Sequence, residues 1–197
     1  MTTRRSSVSP FRLPQWAIQL ARSRRTPFLS KENRMRFVIE LASTNVASGT
    51  GGPFGAAVFE RTNWRLIAVG VNLVESTRCS HAHAEMVALA NAQQAVGRFD
   101  LGAAGFPTHE LVTSCEPCAM CYGAIPWSGI RSVLCGARAS DAEAIGFDEG
   151  AKPKNWVAEF KNRRITVARD LCRKEAVAVL QEYKRGGGAI YGTRKRS

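Results

Sequence analysis

Thr113-Ser114-Cys115-Glu116-Pro117-Cys118-Ala119-Met120-Cys121-Tyr122 is the stretch that decides the reading of this chain, together with the earlier His83-Ala84-Glu85. Pro117 suits the first turn of a helix, where a backbone N–H would have no partner anyway. A helix starting there puts Cys118 and Cys121 one turn apart on one face, so both sulfurs can reach one ion. His83 and Glu85 open a run from Ala82 to Val96 that is rich in Ala, Leu and Gln and free of Gly and Pro, which predicts a second helix. Free N–H groups and the positive dipole end at helix starts favour thiolate over thiol. One imidazole and two thiolates supply three ligands to a tetrahedral zinc and leave the fourth position open to water.

Zinc can lower the pKa of such a water to about 7. Glu85 is two residues from His83, so it can face the water without ligating the metal and carry its proton to a leaving nitrogen. His-x-Glu combined with Pro-Cys-x-x-Cys is a known signature of zinc deaminases. The same residues also allow a closed structural zinc site, with Cys115 or His81 as fourth ligand, in a noncatalytic zinc or nucleic-acid module. That alternative leaves Glu85 without a role.

Working outward, Ser30 can cap a helix running from Lys31 through Leu41 and fading before Gly49, where Gly51-Gly52-Pro53 breaks it. Gly55 to Glu60 and Leu66 to Val71 are short apolar runs on either side of Arg61-Thr62-Asn63-Trp64-Arg65, the pattern of an antiparallel hairpin. His109 to Ser114, Arg131 to Gly136 and Arg164 to Ala168 predict further strands, and Asp170 can cap a terminal helix to Tyr183. Two strands followed by alternating helix and strand give an α/β layer fold with a central mixed sheet.

The chain has 197 residues, 45% hydrophobic and 22% charged, the composition of one globular domain. No apolar run reaches the roughly 18 residues of a membrane span. The net charge of +12 is uneven. Arg4, Arg5, Arg12, Arg22, Arg24, Arg25 and Lys31 precede the first acid, and Lys184, Arg185, Arg194, Lys195 and Arg196 follow the last. Between them sixteen cations balance sixteen acids, so the body is neutral and any nucleic-acid contact would come only through basic tails. The Arg- and Ser-rich start also has the composition of an organellar transit peptide, although Pro10, Pro14 and Pro27 interrupt any long amphipathic helix there. Of the six cysteines, three crowd into one short window with no secretory signal, which predicts reduced thiols and a cytoplasmic location. Cys135 and Cys172 read as small core residues.

Thr77 to Leu89 and Thr113 to Ile125 resemble the cytidine deaminase superfamily. Gly52-Pro53-Phe54-Gly55, Val71-Asn72, Trp127, the stretch from Asp141 to Glu149, and Gly188-Ala189-Ile190-Tyr191 are similar, more narrowly, to its bacterial guanine deaminase group. The resemblance implies a three-layer fold with a five-stranded mixed sheet flanked by helices. It also implies one zinc per subunit on His83, Cys118 and Cys121. Glu85 becomes the principal proton shuttle and Glu149 a second acid that assists amine departure. Asn72, Phe54, Trp127, Ala84 and Tyr191 become substrate contacts, the aromatics as walls and the amide as a reader of a purine edge. The implied reaction is hydrolysis of guanine to xanthine and ammonia by a homodimer. Alternatives are a tRNA adenosine deaminase or a deaminase of cytosine, cytidine or an aminotriazine. The expected layout is a basic arm over 1–30, the zinc-dependent deaminase domain over 31–185 and a basic tail over 186–197 that closes the site. Pro126 is expected to end its helix early.

Overall fold

The computed structural model describes residues 11–24 and 26–192. Five strands form one sheet: β1 (Gly55–Glu60), β2 (Leu66–Val71), β3 (His109–Cys115), β4 (Ser132–Ala137) and β5 (Thr166–Ala168), in the order β2-β1-β3-β4-β5. The hairpin pairs Ala56 with Gly70, and β1 runs antiparallel to β3 with Ala56 opposite Thr113. β3 and β4 are parallel with Val112 opposite Leu134, as are β4 and β5. The sheet is therefore mixed, and the parallel steps carry helical crossovers, as parallel pairing demands.

Helices cover both faces. α2 (Lys31–Ala47), α6 (Ala139–Ile145) and α8 (Arg173–Arg185) bury Met35, Leu41, Ala142 and Leu180 against one side of the sheet. α4 (Ala84–Val96), α5 (Ala119–Trp127) and α7 (Trp156–Asn162) bury Ala88, Ile125 and Phe160 on the other. α3 (Val74–Thr77) is a single turn after β2. The three layers follow from strands apolar on both faces: all of β3 and β4 is buried. Ser30 caps α2 as expected, accepting the Asn33 N–H at 3.0 Å. Arg34, 1% exposed, ties α2 to β3 through Glu110 at 2.9 Å, and Glu110 also accepts the Ser132 hydroxyl at 2.7 Å. Removing one partner of such a buried pair costs about 3–5 kcal/mol.

Gly70 sets the position of α4. A Cβ there would stand 2.1 Å from the Ala84 carbonyl oxygen and 2.4 Å from the Ala88 nitrogen. Only glycine lets the helix lie so close to β2, and this closeness holds the start of α4 over the sheet.

Several expectations are corrected. Part of the basic arm is folded: α1 (Gln15–Ser23) packs Trp16 and Leu20 against the core, and Trp16 Nε1 donates to Thr50 Oγ1 at 3.2 Å. Pro14 precedes this helix and does not interrupt it, and its spaced apolar residues were masked by the surrounding arginines. Asp170 does not cap α8. It adopts a left-handed backbone (φ 64) and pairs with Arg138 at 2.7 and 2.8 Å, and the helix starts three residues later. Pro117 lies one residue before the cap of α5, and Pro126 sits in its last turn without cutting it short of Trp127. Arg4, Arg5, Pro10, Arg25, Arg194, Lys195 and Arg196 lie outside the described residues. No helix among the described residues is long and apolar enough to cross a membrane. None of the six cysteines is in a disulfide.

Candidate active site

The N-termini of α4 and α5 meet beside the carboxyl end of β3. His83 is the N-cap of α4 and Cys118 the N-cap of α5, both with extended backbones and neither side chain spent on capping. Cys121 follows in the first turn of α5. His83 Nδ1 is 3.5 Å from Cys118 Sγ and 3.7 Å from Cys121 Sγ, and all three donor atoms lie within 4.8 Å of one another. Neighbouring N and S ligands on a tetrahedral zinc stand about 3.5–3.8 Å apart, given bond lengths near 2.0 and 2.3 Å, so the cluster fits the ion. Its acidity fits as well. The hydrogen bond from Cys121, with His83 assisting and burial opposing, pushes the Cys118 thiol down to about 4. Cys121, which gives that hydrogen bond and is itself buried, is pushed up. The two sulfurs share one proton that a dication replaces.

Neither candidate fourth ligand joins this cluster. Cys115 points at the Arg138 carbonyl, 3.4 Å away, and His81 is exposed and pairs with Cys79 at 3.3 Å. The closed structural site is thereby disfavoured, and the protein contributes three ligands.

Two acids approach the same point. Glu85 is 6% exposed, accepts the Thr113 hydroxyl at 3.2 Å and lies 3.5 Å from Cys121 Sγ. Burial, reinforced by the Cys118 charge, raises its carboxyl above the ordinary range. Glu149 enters on the loop between α6 and α7, whose backbone is fixed where the Ala119 N–H donates to the Glu149 carbonyl at 2.8 Å. Burial, then the charges of Cys118 and Glu85, raise its carboxyl to about 8. Burial alone would lower His83, but Cys118 and the two acids outweigh it and raise its pKa.

His83, Cys118, Glu85 and Glu149 line a cavity of about 470 Å³. Ala84, Phe54, Asn72 and Tyr191 reach it. Trp127 does not: it lies on the outer face of α5 and is 87% exposed. One helical turn points Cys121 inward, and six residues further on the same helix has turned its ring to the outside. Phe147 takes the place expected for Trp127, meeting Phe54 edge-on at 5.0 Å and Tyr191 at 5.3 Å. Phe147 stood within the quoted stretch without a role, because a lone aromatic in a loop carries no periodic signal. Asn72, 1% exposed, accepts the Val74 N–H at 3.3 Å on its amide oxygen and donates from Nδ2 to the Tyr191 hydroxyl. The tail of the same chain thus reaches its own cavity.

Residues 29–137 match the model of the cytidine and deoxycytidylate deaminase zinc-binding region. The chain belongs to this deaminase family. Within it, the chain is 49% identical to a solved guanine deaminase from Nitrosomonas europaea, with a TM-score of 0.84 over 88% of this chain and 94% of the other. The structure of NE0047 in complex with 2,6-diaminopurine is 48% identical, with a TM-score of 0.87 over 95% and 98%. Guanine deaminase of Bacillus subtilis (strain 168) is 36% identical over 121 residues, 61% of this chain and 73% of that one. The protein is a zinc-dependent deaminase whose metal site is His83, Cys118 and Cys121.

Proposed function

We propose that this deaminase hydrolyses guanine to xanthine and ammonia. The observation that carries the reading is one cavity in which two buried acids, Glu85 and Glu149, flank the His83, Cys118 and Cys121 cluster under an aromatic wall. Likeness to guanine deaminases over nearly the whole chain, one relative being solved with a diaminopurine, supports a purine base as substrate.

Phe54 and Phe147, in edge contact at 5.0 Å, form one continuous apolar wall against which a flat bicyclic base can lie, and the Asn72 amide offers both donor and acceptor to its edge. Zinc, when bound, supplies the Lewis acidity that makes water nucleophilic at neutral pH. Glu85, kept in place by Thr113, accepts the proton that water loses and delivers it to a ring nitrogen. Glu149 gives a proton to the departing amino group, and as the C–N bond breaks the new hydroxyl passes its proton back to the carboxylate pair; the first step needs a neutral carboxylic acid, which burial maintains below about pH 8. Tyr191 and Gly192 of the tail line the cavity and restrict water. The deaminase domain is read as 31–185 with α1 packed on it, acting as a homodimer in the cytoplasm.

Incubating the zinc-loaded protein with guanine tests the reading by ammonia release and xanthine absorbance. Silence on guanine alongside turnover of cytosine, cytidine or an aminotriazine would move the assignment to that substrate. Light scattering on the purified protein tests the dimer.

A further inference from the structure

Lys152 is half-buried on the loop that carries Glu149, and its ammonium turns inward. Lysine heads ordinarily reach for water. Here Nζ donates to the Pro117 carbonyl at 2.7 Å and lies 4.9 Å from the centre of the Trp156 ring, itself 5% exposed. Pro117 immediately precedes the zinc ligand Cys118. The same loop is tied to the same helix start at a second point, the 2.8 Å hydrogen bond from the Ala119 N–H to the Glu149 carbonyl. Gly150 shows how tight the seating is: its φ is +71°, and an added Cβ would stand 3.0 Å from the Ala119 Cβ. Loop and helix start are therefore held at two points on either side of Cys118, one through a backbone N–H and one through a side-chain charge.

We propose that Lys152 is a positioning residue for Glu149, clamping its loop onto the cysteine-bearing start of α5 and so fixing where the Glu149 carboxyl stands in the cavity. Lys152 lies outside the cavity lining and does not touch substrate, so it acts through Glu149. Displacing a proton donor by about 1 Å can cost 10²-fold in rate. Removing the ammonium releases the loop from Pro117 while leaving His83, Cys118 and Cys121 in place.

The test compares Lys152→Met and Lys152→Arg, each zinc-loaded, in the wild-type and Glu149→Gln backgrounds. Lys152→Met is expected to lower kcat on guanine about 10–100-fold with KM within about threefold and zinc content unchanged, and Lys152→Arg to recover most of the loss. In the Glu149→Gln background, Lys152→Met should cost less than about twofold more, because the group it positions is already gone. Amide exchange at Ala119 should quicken about 10-fold in Lys152→Met. An equal loss in both backgrounds, a loss that tracks missing zinc, or kcat within about twofold of wild type each overturns the proposal. The inference rests on the guanine reading only for its kinetic arm. A wild type inert on guanine would sink that reading alone, and unchanged Ala119 exchange in Lys152→Met would then overturn the clamp.

Discussion

The metal end and the base end of the cavity are built differently. At the metal end every group sits on or next to a helix start: His83 and Glu85 on α4, Cys118 and Cys121 on α5. Those starts are held by the sheet, through Gly70 under α4 and through the end of β3. At the base end Asn72 follows a strand, Phe54 precedes one, Phe147 and Glu149 lie on a loop and Tyr191 on the tail. In the proposed reading, reaction type is carried by rigid helix starts, and selectivity by strand ends, a loop and the tail. The same fold can serve many aminated substrates for that reason.

Substitutions can break this division, and the largest effect belongs to the metal end. Glu85→Gln is expected to lower kcat by about 10³–10⁴-fold, the usual reach of acid–base catalysis, while metal analysis still finds one zinc per chain. Loss of zinc together with activity would show that Glu85 holds the site together and does not carry the proton.

Glu149 bridges the two ends, and Glu149→Gln should cost about 10²-fold. Its pKa is raised, so the required neutral acid is present below about pH 8 and is lost above it. Wild-type kcat should therefore decline as pH rises through that value. The same decline in Glu149→Gln would assign it to another group.

Asn72→Ala should act on recognition, lowering kcat/KM for guanine by about 10–100-fold, the worth of one to two hydrogen bonds lost from a buried site. Its zinc content and the Glu149-dependent pH limb should persist. The smallest effect is expected at Trp127→Ala, with kcat and KM within about twofold of wild type, because an exposed side chain outside the cavity contributes little to the site. A large rise in KM there would return Trp127 to the substrate wall.

The legibility of the chain follows the same division. His83, Glu85, Cys118 and Cys121 could be read together because spacing on a helix turns sequence distance into direction. Both hairpin strands were found end to end, since their apolar runs are bounded by turn residues. Trp127 stands six residues beyond Cys121, which turns it away from the cavity of its own chain. Phe147 and Lys152 went unread because a loop gives no period, and contacts such as Lys152 with Pro117 exist only after the chain has folded. α1 was hidden by the arginines around it, which made charge more visible than the spacing of Trp16 and Leu20.

By itself the sequence determined that His83, Cys118 and Cys121 can share a zinc ion beside a proton carrier, and that a hairpin is followed by alternating helix and strand. Those are local properties, fixed by residue type and by the geometry of a helical turn. Only the tertiary structure decided that Cys115 and His81 stand outside the site and that Glu149 is buried, which raises its carboxyl above the ordinary range. It also brought Phe147 to the cavity and left Trp127 outside the cavity of its own chain. Each of these depends on burial or on contact between distant segments, which arise when the sheet brings them together and water is excluded.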